Sequence, residues 1–148
     1  DRYAVVEYAA DQAASWDTYT SGLIWKALAK ARARAALDDI ERRVDIDVGL
    51  FREFEGWRGD EAIAAALYAF LVHGDDPRKC LIFAANTPGD SDSIAAVAGA
   101  ICGAWTGIIP EDWLPHVECL TELEQLVDRI MSALDNELMF KPESSPFV

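Results

Sequence analysis

The sequence predicts an all-α protein, a compact bundle of several helices. Apolar residues recur at intervals of three and four along most of the chain, and no segment alternates apolar and polar residues for more than a few positions. Alanine is frequent, whereas β-branched residues are sparse in the central region, which favours closely packed helices. The 148 residues, of which 51 % are hydrophobic and 26 % charged, are enough to bury one core and are typical of a globular chain.

The apolar spacing and the capping residues predict six helices. In chain order they are expected at residues 3–14, 21–43, 60–71, 77–86, 94–107 and 122–137. The second has a basic outer face, and Asp60 is expected to cap the third. Asp76-Pro77 marks the next start, because Asp is a preferred N-cap and Pro suits the first helical position. Thr121 and Glu124 have the spacing of a capping box at the last helix.

Two segments lack a helical pattern. Residues 44–59 mix Asp, Gly and aromatic residues and are predicted to form a loop. In that loop Asp45 and Asp47 are two positions apart, but no hydroxyl or Gly-rich helix follows them, so we expect them to be solvated. The end of the chain, 141–148, contains two prolines and is predicted to be a flexible tail.

Charge and cysteine usage narrow the possible functions and compartments. The formal net charge is −13, so the chain is a poor candidate for binding nucleic acid, whose phosphates it would repel. The three cysteines form no C-x-x-C pair, and a reducing cytoplasm is the expected location. No membrane partner is expected, because the longest apolar run, 94–109, is short and follows a polar cluster. The chain opens at Asp1, inside an apparent helix, and we expect it to be a fragment.

The most informative segment is Gly89-Asp90-Ser91-Asp92-Ser93, at a predicted loop-to-helix junction. In turn or extended backbone, alternate residues can point the same way, so Asp90, Asp92 and the Ser93 hydroxyl can converge on one point. Mg²⁺ and Mn²⁺ accept carboxylate, hydroxyl and water oxygens together. Helix capping is the alternative, since Asp and Ser are preferred at helix starts. A calcium-binding EF-hand loop is excluded, because its remaining ligands and its central Gly are missing.

The helix after this turn carries Gly99, Gly103 and Gly107 at intervals of four residues. Each Gly costs about 1 kcal/mol relative to Ala inside a helix, so three on one face need a reason. Close packing against another helix backbone, or against a flat ligand, would supply that reason.

Several stretches together resemble the C-terminal signature of the ADP-ribosylglycohydrolase family. They are Ala65–Leu71, Ala84–Gly107, Ile109-Pro110 and Trp113-Leu114. The family pattern is an N-x-G-G-D-[ST]-D-[ST] turn followed by an Ala- and Gly-rich helix, and the close match covers residues 56–126. Pro88 stands where the family usually has Gly, but it removes no ligand.

The resemblance implies a fold, a site and a reaction. It implies an all-α ADP-ribosylglycohydrolase-like bundle, of which residues 1–140 are the C-terminal half. Asp90, Asp92 and Ser93 would be ligands of a binuclear Mg²⁺ or Mn²⁺ centre, with Asp90 and Asp92 also catalytic. The implied reaction is metal-dependent hydrolysis of the glycosidic bond between ADP-ribose and a protein side chain or a related group.

The family's N-terminal G-D-A-x-G, T-D-D-T and T-H-x-x-P segments have no counterpart in the sequence. The two metal ions are therefore expected to be shared with a missing N-terminal portion of the same protein, and the chain alone is expected to be inactive. Two alternatives remain. One is a non-catalytic relative that binds ADP-ribose or has a structural role, and the other is an acidic helical adaptor, which leaves the glycines unexplained.

The other candidate residues carry weaker signals. His73 precedes Gly74 and is expected to cap a helix end, whereas His116 has no identifiable partner. Trp57 and Trp113 are expected to be core or interface aromatics.

Overall fold

A computed structural model describes residues 1–139, and its side chains are described up to residue 135. Every regular element in this part of the chain is a helix, which confirms the all-α prediction. The described chain divides into two packing units, residues 1–109 and the described residues from Pro110 onward. The tail predicted at 141–148 lies outside the described residues, and a single domain through residue 140 stays a prediction.

The first unit contains six α-helices and the second contains one short and one long helix. The first six are α1 (Arg2–Ala14), α2 (Thr18–Ala35), α3 (Ile40–Glu53), α4 (Gly59–His73), α5 (Pro77–Ala85) and α6 (Ser91–Thr106). The second unit has a 3-10 helix at Glu111–His116 and α7 at Leu120–Met139. No helix among the described residues has both the length and the apolar character needed to cross a bilayer.

Helix α4 is the centre of the first unit. It packs against α2, α5 and α6, and all its residues from Ala64 to Leu71 are buried. A helix that is apolar on every side is stable only when neighbours surround it, which explains this central position. Cys80 of α5 and Cys102 of α6 are also buried in this core, as expected of small apolar thiols.

One prediction of the sequence analysis is wrong, because residues 44–53 are helical rather than part of a loop. The predicted helix 21–43 ends at Ala35, and a new helix starts when the Asp39 carboxylate accepts hydrogen bonds from the amides of Glu41 and Arg42. The Asp and Gly residues that suggested a loop are tolerated because α3 buries only one face, with Leu50 and Phe51.

The expectation that Asp47 is solvated is also wrong. Its side chain is 11 % exposed, and its Oδ1 accepts hydrogen bonds from Arg34 Nε at 2.8 Å and from the Tyr68 hydroxyl at 2.5 Å. Burial and the bond to Asp47 raise the pKa of Tyr68. A buried carboxylate is tolerated when it is paired and hydrogen-bonded, and this network joins α2, α3 and α4.

The change Tyr68→Phe removes one of the two donors to the buried Asp47 carboxylate. We expect the free energy of unfolding to fall by about 1.5–3 kcal/mol, the usual contribution of a hydrogen bond to a charged group. Urea denaturation at neutral pH measures this change. Tyr8→Phe is the control, since Tyr8 is 67 % exposed, and equal losses in the two variants would contradict the role of the network.

His73 predicts a pH dependence of stability. Burial, and then the positive charge of Arg34, lower the pKa of His73 below 6.5. The unfolded chain therefore binds a proton more readily than the folded one, so this contribution is present above pH 6.5 and is lost as the pH falls. We expect the free energy of unfolding to decrease as the pH falls below 6.5, and His73→Gln to remove most of that slope. His116→Gln should keep it, and the same slope in both variants would contradict this assignment.

Candidate functional site

The predicted metal-binding turn lies between α5 and α6 and rests on the backbone that precedes α4. The amide of Asp90 donates to the Glu55 carbonyl at 2.7 Å. A Cβ on Gly89 would overlap the same carbonyl, so only a residue without a side chain fits at this position. The two segments are 34 positions apart in sequence, and their contact fixes where the turn sits.

A second close contact fixes the start of α6. Gly56 has φ +82°, in the left-handed region, and a Cβ there would lie 2.8 Å from Ile94. Ile94 itself is fully buried and anchors the first turn of α6 in the core. The residues between the two contacts, including Asp92, are therefore held at the surface by a buried frame.

Asp90 occupies the N-cap position of α6, yet its side chain makes no capping hydrogen bond. Four other helices of the first unit begin at an Asp, and there the carboxylate does accept from a backbone amide: Asp1, Asp17, Asp39 and Asp76. The capping alternative considered for this motif predicts the same bond at Asp90. The Asp90 carboxylate is therefore not engaged as the cap of α6.

The side chain of Asp90 lies close enough to Asp92 to affect the ionisation of that residue. The hydrogen bond with Asp90 lowers the pKa of Asp92, and the backbone amides of Asp92 and Ser93 lower it further. The side chain of Asp92 is exposed to solvent. The dipole of α6 stabilises negative charge at its N-terminus, where both carboxylates lie. Two neighbouring carboxylates are ligands of the kind that divalent cations use.

Ser93 lies on the same first turn of α6 and is partly buried. Its hydroxyl makes no hydrogen bond within the part of the chain whose side chains are described. The structure therefore brings Asp90 and Asp92 together and places the Ser93 hydroxyl next to them in sequence, without a competing protein partner.

The donor set fits a hard divalent cation but is incomplete. Carboxylate and hydroxyl oxygens are the ligands that Mg²⁺ and Mn²⁺ prefer, and such ions take about six of them. Within residues 1–139 there is no group of three or more His, Cys, Asp and Glu side chains suited to a metal ion. The described residues thus offer part of a coordination shell.

The three glycines of α6 have three different surroundings. A Cβ on Gly99 would lie 2.8 Å from Leu81 Cδ2, so this glycine permits close packing of α5 on α6. Gly103 faces open space, and Gly107 ends the helix with φ +66°, as a C-terminal glycine commonly does. The sequence predicts close packing at all three glycines. Among the described residues, only Gly99 shows it.

The remaining candidates lie apart from the turn. His73 is packed against the ring of Phe83, with ring centroids 4.9 Å apart, and makes no capping bond in the described structure. Trp57 is 68 % exposed, so it is not a core residue. His116 lies in the 3-10 helix of the second unit.

The buried network around Asp47 was missed by sequence reasoning. The available signal was an acidic residue at position 47 on the same helical face as Leu50 and Phe51. An acidic residue on the apolar face of a helix indicates a carboxylate that is buried with a partner. Because residues 44–59 were predicted to form a loop, the apolar face of α3 was not recognised.

Comparison with known proteins supports the resemblance. The family model "ADP-ribosylglycohydrolase" matches residues 1–138. An uncharacterized protein of Archaeoglobus fulgidus is 40 % identical over 70 residues, which are 47 % of this chain and 23 % of that protein. ADP-ribosylhydrolase ARH3 of Mus musculus is 33 % identical over 82 residues, 47 % of this chain and 22 % of that protein.

The Homo sapiens protein of the same name is also 33 % identical over 82 residues, 23 % of its length. The matched segments thus span less than a quarter of these relatives. No solved structure gave a significant match. Because the family model matches residues 1–138 of the 148, the chain belongs to the ADP-ribosylglycohydrolase family.

Proposed function

We propose that this chain supplies part of the metal site of a hydrolase that cleaves the N- or O-glycosidic bond between ADP-ribose and a protein side chain, or a related ADP-ribosyl compound. The observation that carries the proposal is the Asp90 carboxylate, which stands at a helix start without capping it and lies close enough to Asp92 to lower the pKa of that residue. Family membership supports the reaction class.

Asp90 and Asp92 would hold two divalent cations, Mg²⁺ or Mn²⁺, together with ligands from elsewhere, and Ser93 would add a hydroxyl oxygen. When bound, these ions supply Lewis-acid catalysis and orient the reacting groups. The contacts of Asp90 and Gly89 with the Glu55 carbonyl keep the carboxylates in place before the substrate arrives. Such preorganisation lowers the cost of assembling the charged site.

The reaction adds water across the glycosidic bond. The water oxygen forms a bond to the anomeric carbon, the bond from that carbon to the side-chain nitrogen or oxygen breaks, and the proton passes to the leaving group. The exposed carboxylate of Asp92 can accept a hydrogen bond from the attacking water and so orient it. Asp90, which is less exposed, is better placed as a fixed ligand.

We further propose that an N-terminal portion of the same protein completes the site and that the chain alone is inactive. The incomplete donor set among residues 1–139 and the small fraction of each relative that is matched both support this. The ADP-ribosylated substrate would then bind where the two portions meet. Cys80, Cys102 and Cys119 are all free thiols, which is consistent with a reducing cytoplasm.

A non-catalytic relative that binds ADP-ribose is the second candidate, favoured by the same incomplete donor set. It would keep the fold and bind ADP-ribose without metal-dependent release. The unused carboxylate of Asp90 favours the enzyme, because a purely structural descendant gains more from a capping bond there.

The variants Asp90→Asn and Asp92→Asn test the proposal in the complete protein. Each removes a charge from the metal site, so metal-dependent release of ADP-ribose is expected to fall about a hundredfold or more, with little change in melting temperature. Asp76→Asn is the matched control, because Asp76 caps α5 and lies outside the turn. Full activity in both turn variants would remove the role assigned to these carboxylates.

The position of the turn can be tested without changing a ligand. Gly89→Ala places a methyl group against the Glu55 carbonyl and should displace Asp90. We expect activity and metal affinity in the complete protein to fall about tenfold or more. Gly103→Ala is the control, since its Cβ meets no atom, and it should stabilise α6 by about 0.5–1 kcal/mol with activity retained. Unchanged metal affinity in Gly89→Ala would contradict the proposed frame.

A further inference from the structure

An apolar groove lies between α1 and α6 on the surface of the first unit. Its volume is about 320 Å³. Val5 and Ala9 of α1 line one side, Ala104 and Trp105 of α6 line the other, and Phe70 of α4 contributes to the floor. The side chains that line the groove are all apolar, apart from the indole N–H of Trp105.

The sides of the groove are open to solvent but held in place. Val5 is 49 % exposed and Trp105 is 42 % exposed. The ring of Trp105 meets the buried ring of Phe70 edge to face, with centroids 5.8 Å apart. This contact orients the indole, so the groove is formed before anything occupies it.

The sequence of α6 indicates that its open side has a further neighbour. From Ile94 to Trp105 the helix contains no charged residue and no Ser, Thr, Asn or Gln. A helix that is apolar on every side is stable in water only when neighbours surround it. Helix α4 meets this condition, whereas in the described structure α6 fully buries only Ile94, Ala98 and Cys102.

The chemistry of the groove favours a helix as that neighbour. A polar ligand or an extended peptide would lose hydrogen bonds to water and would gain almost none from these apolar side chains. The backbone groups of a helix are hydrogen-bonded within the helix, so it can insert apolar side chains between α1 and α6 without that cost.

We propose that the groove receives an apolar helix from the N-terminal portion of the same protein, a portion whose existence is part of the proposed function. Two observations favour this occupant over a second copy of the chain. The 70 matched residues are 23 % of the archaeal relative, so that relative is about twice as long as this chain. The helix that lines the groove also starts at the metal-site turn, where the described residues supply an incomplete donor set.

One helix of the N-terminal portion can reach both the groove and the turn. Between Trp105 and Asp92, α6 rises about 20 Å, which a helix of about 14 residues spans. A helix packed along α6 at a shallow angle therefore extends from the groove to the turn, where its side chains can add ligands to Asp90 and Asp92. The groove thus sets the position of the missing half of the site.

Thiol labelling of this chain and of the complete protein tests the proposal. Ala104→Cys adds a thiol to the groove in a Cys119→Ser background, because Cys119 is exposed whereas Cys80 and Cys102 are buried. We expect a maleimide to modify this position at least about tenfold more slowly in the complete protein, as mass spectrometry of the modified peptide reports. Ala29→Cys, at an exposed position of α2, is the control and should react equally in both proteins.

The same labelling rates identify the occupant. Equal rates for Ala104→Cys in the two proteins would show an uncovered groove and overturn the proposal. A second copy would protect the thiol in the chain alone, increasingly at higher protein concentration, and that result would also overturn it. Protection in the chain alone at every concentration would mean that this chain covers its own groove, with the same consequence.

Ala104→Gln tests the docking through stability. Gln has nearly the helix propensity of Ala, so the melting temperature of the chain alone should change by less than about 2 °C. In the complete protein the amide is buried without a partner, and the melting temperature should fall by at least about 5 °C. Ala29→Gln should have a small effect in both proteins. An equally small effect of Ala104→Gln in both would contradict the docking.

The docking and the hydrolase proposals fail separately. Asp90→Asn changes no groove residue, so the thiol of Ala104→Cys should stay protected in a complete protein that no longer releases ADP-ribose. If the turn variants keep full activity while the groove stays protected, the hydrolase role of the carboxylates falls and the docking stands. If the groove reacts freely in an active complete protein, the docking falls and the hydrolase proposal stands.

Discussion

The contact between Gly89 and the Glu55 carbonyl is the constraint on which the rest of the site depends. It leaves no space for a side chain at position 89 and holds the Asp90 amide 2.7 Å from that carbonyl. The Asp90 carboxylate makes no capping hydrogen bond, and its side chain is close enough to Asp92 to lower the pKa of that residue. The position of these two acidic residues is thus fixed by a contact between two backbone segments that are distant in sequence.

Stability and function occupy different parts of the first unit. The apolar helix α4 and the Asp47 network hold α2, α3 and α4 together, and they tolerate one buried carboxylate because it is paired. The turn before α6 instead brings Asp90 close to the exposed Asp92, and the hydrogen bond with Asp90, followed by backbone amides, lowers the pKa of Asp92 so that it stays charged. Carboxyl groups whose pKa values are shifted by specific neighbours are common at sites that bind ligands.

Much of the fold followed from local signals. Asp76-Pro77 located α5, and the Asp-rich turn located α6, because capping and apolar periodicity act over a few residues. Residues 44–53 were assigned wrongly because Gly and Asp weaken a helix only slightly when its other face is buried. The convergence of Asp90 and Asp92 could be predicted, but Glu55 as the support of the turn could not, since that contact joins distant parts of the chain.

The most direct test of the central claim is the site at which a paramagnetic divalent ion binds the isolated chain. Titration of the ¹⁵N-labelled chain with Mn²⁺, followed by line broadening of amide signals, reports the residues nearest the ion. The account predicts weak binding in which the amides of residues 90–93 broaden first, ahead of the acidic pair Asp75 and Asp76. Broadening spread evenly over the acidic surface, or absent from the turn, would contradict it.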